Sequence, residues 1–284
     1  MKKGWNILMG SLLVLLLLSL CGLILAHGKM LRDAEAVIAA RPEPEEPTKG
    51  ELFRTFLETA HFGIDLSEFN TVTDWNAVKE SGVEFVIIRL GGRGYGTGAL
   101  YADEYARKYL KGATEAGLKI GGYFFSAAVT EEEAKMEAIL AKTIVGAYEL
   151  DLPIFFDTEN TSQGGRANSL TPEERTAVAL SFCREIEKEG IFTGGVYSYY
   201  EYLLSQLELE KLSDYPVWLA HFVPESYGPF PRFPMTAFPG SYAVWQFTNS
   251  AQIDGIKGRV DADLIQPYWE HSPYAEEDPY AEQE

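Results

Sequence analysis

The sequence from residue 62 onward predicts an α/β fold, a TIM-like (β/α) barrel of about five βα units followed by three strands. Apolar strand segments alternate with helical segments, which is typical of parallel strands joined by right-handed crossovers. Eight such strands can be counted, and this number favours closure into a barrel. In barrels of this kind, functional residues lie at the C-terminal ends of the strands.

The predicted strands cover residues 62–67, 83–90, 119–126, 152–159, 192–198, 216–222, 242–248 and 260–264. Helices are predicted over residues 74–81, 103–116, 131–148, 171–190 and, in part, 199–212. Asp74 and Thr171 are residue types that cap helix N-termini, and Pro172 suits a first helical position. The glycine-rich residues 91–98 match neither dinucleotide-binding nor P-loop patterns, so they predict a loop at the barrel rim.

Four regions are predicted along the chain. Residues 7–26 carry no charge and have about the length that spans a bilayer as a helix. With Lys2 and Lys3 before them, they predict a single-pass membrane anchor (residues 1–28) whose N-terminus is cytoplasmic, the rest being extracellular. The alternative is a cleaved signal peptide and a secreted protein. Residues 29–61 predict a charged Pro/Glu-rich linker, 62–269 the barrel and 270–284 an acidic disordered tail.

Composition excludes several classes of partner and site. The net charge of −18 argues against nucleic acid, which requires basic patches. The two cysteines, Cys21 and Cys183, predict no disulfide, and Cys183 is expected to be a small core residue. The four histidines have no metal-binding spacing, so no metal or cofactor is predicted. We expect a monomer.

The fourth predicted strand ends in two carboxylates, Asp157 and Glu159. Because strand side chains alternate, both point the same way, with Cα atoms about 6.6 Å apart. A pair of this kind suits acid-assisted cleavage of a glycosidic bond. Solvated loop carboxylates, or a cap for the next helix, remain the alternative. Asp65 likewise ends the first strand, whereas Asp261 lies near the start of the last one.

Six segments stand in order within residues 62–266. They are GIDLS at 63–67, GVEFVIIR at 82–89, GGYFFS at 121–126, DTE at 157–159, WQF at 245–247 and GRVD at 258–261. Together they resemble glycoside hydrolase family 25, the Chalaropsis-type lysozymes or N-acetylmuramidases. The resemblance implies an irregular (β/α) barrel that hydrolyses the β-1,4 bond between N-acetylmuramic acid and N-acetylglucosamine in peptidoglycan.

The resemblance also implies a catalytic set of four acids: Asp65, Asp157, Glu159 and Asp261. Glu159 corresponds to the general acid, and its pKa is expected to be raised by burial or neighbouring acids. Asp157 would stabilise positive charge on the sugar, and the other two would orient Asp157, the substrate acetamido group or water. The spacing of the carboxylates leaves the stereochemical route open, because substrate-assisted enzymes fall outside the separation rule.

Substrate-binding residues follow from the same resemblance: Tyr123, Phe125, Tyr197, Trp218, Trp245, Gln246 and Arg89. For the aromatic residues the alternative is barrel core, and for Arg89 it is pairing with a carboxylate. The sequence departs from the family at Thr158, His221 and Phe247. It also departs at Asp263, which replaces a frequent asparagine and adds a fifth acid near the site.

The function expected from these residues is a membrane-anchored muramidase that acts in cell-wall remodelling or lysis. One alternative is a glycan-binding barrel at the cell surface that retains the groove without the chemistry. Another is a metal-dependent hydrolase that uses the acids as ligands, which the histidine spacing does not favour.

Overall fold

The structure, a computed structural model, describes residues 60–161, 164–222 and 238–265. Its strands are β1 (His61–Leu66), β2 (Thr71–Val72), β3 (Phe85–Arg93), β4 (Leu100–Ala102), β5 (Lys119–Ser126), β6 (Ile154–Thr158), β7 (Gly194–Tyr199), β8 (Val217–Ala220), β9 (Val244–Ala251), β10 (Ile256–Lys257) and β11 (Val260–Ile265). Its α-helices are α1 (Trp75–Glu80), α2 (Ala106–Ala116), α3 (Glu131–Val145), α4 (Pro172–Glu187) and α5 (Tyr200–Gln206). Short 3₁₀ helices cover Arg166–Ser169 and Leu209–Leu212.

Eight strands form a closed barrel. They follow one another in the order β1, β11, β9, β8, β7, β6, β5 and β3, and a direct pairing of β1 with β3 completes the ring. Strand β4 extends the sheet from β3, outside that ring. A helix follows each of the first five barrel strands, and the later described segments are strands. The predicted TIM-like α/β barrel is therefore confirmed.

One barrel strand runs against the others. The neighbours from β1 through β3, β5, β6, β7 and β8 to β9 pair in parallel. Strand β11 pairs antiparallel with both β9 and β1. The beginning of β11 therefore lies at the end of the barrel where the seven parallel strands finish, which we call the upper rim.

Local sequence signals set the helix boundaries. The Asp74 side chain accepts hydrogen bonds from the backbone N–H groups of residues 76 and 77 and caps α1, as predicted. Thr171 and Glu174 form a capping box at α4, with Pro172 in its first turn. The helix expected from residue 103 begins only at Ala106. Asp103 lies in the turn before this helix, where its carboxylate accepts hydrogen bonds from the Tyr105 backbone N–H and from Arg89.

Two apolar layers hold the barrel, one on each face of its strands. The inner layer fills the barrel and includes Phe85, Phe155 and Trp218. The outer layer lies between strands and helices and includes Phe124, Phe156 and Phe182. Cys183 belongs to this outer layer, fully buried and unpaired, as expected of a core residue. Alternation along each strand therefore decides which side chains reach the interior.

No helix within the described residues has the length and apolar character needed to cross a membrane. The predicted anchor (1–28), nearly all of the predicted linker (29–61) and the predicted acidic tail (270–284) lie outside the described residues.

Candidate active site

The four predicted catalytic acids come together at the upper rim. Asp65 stands near the end of β1, Asp157 near the end of β6, and Glu159 directly follows β6. Asp261 is the second residue of β11 and lies opposite Asp65 in the β1–β11 register. The antiparallel direction of β11 explains how an acid near the start of a strand reaches this rim. We call Asp65, Asp157, Glu159 and Asp261 the carboxylate cluster.

Gln246 on β9 connects the members of this cluster. Its Nε2 donates to Asp65 Oδ2 at 2.7 Å and lies 3.5 Å from Asp261 Oδ2. Its Oε1 accepts a hydrogen bond of 2.8 Å from the Tyr197 hydroxyl. The Tyr197 hydroxyl also lies beside the Glu159 carboxyl. A single neutral amide thus fixes the spacing of Asp65 and Tyr197, and through Tyr197 it reaches Glu159.

Burial alters the proton affinities of the cluster. It raises the pKa of Glu159, and the charge of Asp261 adds to that rise. The pKa of Asp157 is also raised, mainly by burial and then by the charge of Glu159. The Arg89 guanidinium opposes this rise without cancelling it. Burial raises the pKa of Asp261 to about 6. The cluster therefore retains protons at pH values where exposed carboxyls have lost them.

Asp65 has more acidic neighbours than any other member of the carboxylate cluster. Burial is the main cause that raises its pKa well above the usual range, followed by the charges of Asp261 and Asp263. The hydrogen bond from Gln246 acts in the opposite direction. Protons bound here are shared among interacting carboxyls, so the titration belongs to the group as a whole.

Aromatic rings form the floor beneath the cluster. Trp218 is almost completely buried, with ring centroids of Tyr197 at 4.4 Å and Phe155 at 5.3 Å. Tyr123 meets Trp218 edge-on at 5.7 Å and is only half-buried. Phe125, also half-buried, lies opposite Asp157 in the β5–β6 register. Tyr123 and Phe125 therefore combine an interior position with access from the rim, whereas Trp218 supports the rings above it.

Trp245 and Arg89 lie differently from the other predicted substrate-binding residues. Trp245 belongs to the outer layer, packs against Phe247, and donates its indole N–H to the carbonyl of His221. Its neighbour Gln246 faces the interior, so alternation turns Trp245 away from the cluster. The Arg89 guanidinium is held by Asp103 and Glu68, each at 2.7 Å. The structure therefore does not bring Trp245 to the cluster, and it shows Arg89 paired with carboxylates.

The sequence did not predict a group of charged residues around Arg93. The Nε of Arg93 donates to the buried Glu137 at 2.6 Å, and Glu137 also accepts from Ser126 at 2.6 Å. Arg166 extends this group through a bidentate ion pair with Glu133, with hydrogen bonds of 2.7 and 2.9 Å. Arg93 stands in the glycine-rich segment that the sequence predicts as a loop, whereas in the structure it ends β3 and is buried, where a guanidinium requires partners.

No group of three or more His, Cys, Asp or Glu side chains within the described ranges is arranged to hold a metal ion. The chemistry that the arrangement offers is proton transfer from a carboxyl of raised pKa, next to carboxylates that can stabilise positive charge.

Comparison with known proteins identifies the family. The model of glycosyl hydrolases family 25 matches residues 64–256, which include Asp65, Asp157 and Glu159. The chain belongs to this family. The autolytic lysozyme of Clostridium acetobutylicum is 29% identical over 201 residues, covering 71% of this chain and 54% of that protein. The chain thus spans about half the length of this relative.

Solved structures agree with the family. The modular autolysin LytC of Streptococcus pneumoniae, in complex with a synthetic peptidoglycan ligand, has a TM-score of 0.61 and 25% identity. The match covers 73% of this chain and 47% of LytC. A bacterial lysozyme from Streptomyces coelicolor has a TM-score of 0.58 at 21% identity, over 72% of this chain and 91% of its own. The second likeness concerns the fold alone.

Proposed function

We propose that this family 25 glycoside hydrolase is a muramidase that cleaves the β-1,4 bond between N-acetylmuramic acid and N-acetylglucosamine in peptidoglycan. The observation that carries the proposal is the convergence of acids from β1, β6 and β11 at one rim. The autolytic lysozyme relative, and the peptidoglycan ligand seen with LytC, support the choice of substrate.

In the proposed reaction Glu159 is the general acid. Its raised pKa keeps it protonated at pH values where an exposed glutamate has already ionised, so it can protonate the leaving glycosidic oxygen. Asp157, whose ionised form Arg89 favours, stabilises the positive charge that develops on the sugar. Asp65 and Asp261, held through Gln246, orient the substrate acetamido group or the attacking water. Tyr123 and Phe125 provide the aromatic surface on which a sugar ring packs.

A Glu159→Gln variant tests the acid role. The amide keeps the size of the side chain but has no proton to give, so turnover should fall by about 10²- to 10⁴-fold. The assay is release of reducing ends from purified peptidoglycan by the full chain. The matched control is Glu149→Gln, the same change at an exposed residue between α3 and β6, at the opposite end of the barrel. A fully active Glu159→Gln variant would remove Glu159 from this role.

Mass spectrometry of the products tests which glycosidic bond is cleaved. Cleavage by a muramidase leaves N-acetylmuramic acid at the new reducing end. A new reducing end on N-acetylglucosamine would contradict the proposed bond while leaving glycoside hydrolysis intact. Binding of peptidoglycan without any product would instead favour the non-catalytic glycan-binding barrel.

We also propose that residues 7–26 anchor the enzyme in the cell membrane with the barrel outside. The uncharged length of this segment and the preceding Lys2 and Lys3 support the proposal. Tethering would keep the enzyme close to its polymer and raise its effective concentration there. Fractionation of cells expressing the full chain should recover it with membranes, at the mass of the unprocessed protein. Recovery of a shortened chain in the medium would show a cleaved signal peptide instead.

A further inference from the structure

Phe69 is the most exposed large apolar side chain among the described residues, at 82% exposure. It stands in the turn that follows β1, so it lies at the upper rim, at the same end of the barrel as the carboxylate cluster. Leaving a ring of this size in water forgoes the stabilisation that its burial would give. Exposure of one apolar residue is common and assigns no role by itself. The contacts that hold this ring are more informative.

Hydrogen bonds fix the turn that carries Phe69. The backbone N–H of Ser67 donates to Asn70 Oδ1 at 2.8 Å, and the backbone N–H of Asn70 donates to the Ser67 carbonyl at 3.0 Å. The Tyr109 hydroxyl, on α2, donates to the Asn70 carbonyl at 2.6 Å. The turn is therefore closed on itself and attached to a helix, so it presents Phe69 in a defined position.

One face of the Phe69 ring lies on a fixed cation. The Cζ of the Arg89 guanidinium is 4.8 Å from the ring centroid, which is a cation–π contact. Arg89 is itself buried, and Asp103 and Glu68 hold it, each at 2.7 Å. Asp103 also accepts from the backbone N–H of Glu68, the residue before Phe69, at 2.9 Å. The ring thus has one face against Arg89 and its opposite face open to solvent.

The guanidinium that supports the ring belongs to the interior face of the barrel. Arg89 follows Phe85 and Ile87 at alternate positions on β3, and both of those side chains fill the barrel. Arg89 lies opposite Tyr123 in the β3–β5 register, and β3 lies between β1 and β5. Arg89 therefore has Phe69 on its β1 side and Tyr123 on its β5 side. Phe69 lies at the mouth of the barrel and extends the aromatic surface of Tyr123 across Arg89.

We propose that Phe69 is a substrate-binding residue of an outer subsite, on which a sugar ring of the glycan strand packs beside the cleavage site. One face of a pyranose carries C–H bonds, which pack on an aromatic face and displace water from it. The charges beside Phe69 are engaged with each other, so the open surface suits a neutral sugar ring better than an ionised group. The subsite rests on the proposed muramidase function, since it takes a neighbouring sugar of the same substrate.

The first test is the kinetics of the full chain on glycan strands freed of their stem peptides by an amidase. Phe69→Ala removes the ring and leaves the backbone hydrogen bonds of the turn. KM should rise about tenfold while kcat is unchanged, because binding away from the reacting bond is lost equally from ground state and transition state. Phe69→Leu keeps an apolar side chain without a flat face and should resemble Phe69→Ala. Phe69→Trp should restore the wild-type KM.

The matched control is Ile191→Ala. Ile191 is another exposed apolar residue, at 73%, and lies between α4 and β7 at the opposite end of the barrel. Its removal should leave KM unchanged. An unchanged KM in Phe69→Ala, or a loss that Phe69→Trp does not restore, would overturn the subsite. A rise in KM on peptide-bearing strands alone would assign the ring to the stem peptide, and would equally overturn the sugar subsite.

The second test measures binding without turnover. Calorimetry with the same stripped strands and the full-length Glu159→Gln variant should show a Kd that Phe69→Ala weakens about tenfold and Ile191→Ala leaves unchanged. Binding that depends on Phe69, in a chain that forms no product, would refute the proposed hydrolysis and keep the subsite. Hydrolysis with a KM independent of Phe69 would refute the subsite and keep the hydrolysis. Neither binding nor product would refute both.

Discussion

The pairing of Arg89 gives a prediction whose size follows from the structure. Arg89→Met removes two hydrogen bonds of 2.7 Å, one to Asp103 and one to Glu68. Breaking a buried ion pair costs about 3–5 kcal/mol, because the remaining charge is left without its partner. The Asp103 side chain is completely buried but still accepts from two backbone N–H groups, of residues 68 and 105. Glu68 is partly exposed and contributes little.

We therefore expect Arg89→Met to lose about 3 kcal/mol of unfolding free energy, near the lower end of that range. The assay is urea denaturation of the full chain at neutral pH. The matched control is Arg107→Met, which removes one hydrogen bond from an exposed arginine to the carbonyl of Thr143 and should change stability by less than about 1 kcal/mol.

The same variant should change the pH dependence of hydrolysis. Arg89 lowers the pKa of Asp157, so its removal should raise that pKa and move the acid limb of activity to higher pH. Arg89→Lys keeps the positive charge and should retain the wild-type limb. A stability within about 0.5 kcal/mol of the wild type, together with a raised KM alone, would refute this reasoning. It would favour the substrate-binding interpretation of Arg89.

Two further predictions concern the rim and the barrel interior. Asp261→Asn removes a negative charge that raises the pKa of Glu159, so the alkaline limb of kcat/KM should move to lower pH; an unchanged limb would mean that another group sets it. Gly63→Ala places a Cβ 2.4 Å from the Phe85 ring and should cost about 1–3 kcal/mol in urea unfolding. Gly96→Ala meets no atom within 4 Å and serves as its control; equal stabilities would show that the interior can relax.

The sequence allowed the barrel and its acids to be predicted because their signals are local. Apolar runs, glycine stops and capping residues such as Asp74 mark each element. Asp157 and Glu159 stand out because a buried strand rarely ends in carboxylates. Local signals did not predict features that depend on contacts between residues far apart in the sequence. The direction of β11, which brings Asp261 to the rim, appears only in its pairing with β1 and β9.

Local sequence patterns also did not indicate which face of a strand a side chain occupies. The motif at residues 245–247 is apolar on both sides of Gln246, so composition does not indicate that the glutamine faces inward and Trp245 outward. The hydrogen bond from Arg89 to Asp103 links β3 to the segment before α2, and Asp103 lies outside its predicted helix. Asp263 was recognised as an additional acid, but its complete burial against Trp218 depends on the closed barrel.

The antiparallel last strand also has a consequence for the order in which the protein becomes active. Strand β11 is inserted between β1 and β9, and its last residue, Ile265, pairs with His61 of β1. Contacts so distant in sequence form late and slowly, because a long loop must close first. Asp261, and the bond from Gln246 to Asp65, cannot be in place before that closure. A nascent chain would therefore lack a complete carboxylate cluster until the whole domain has emerged and folded.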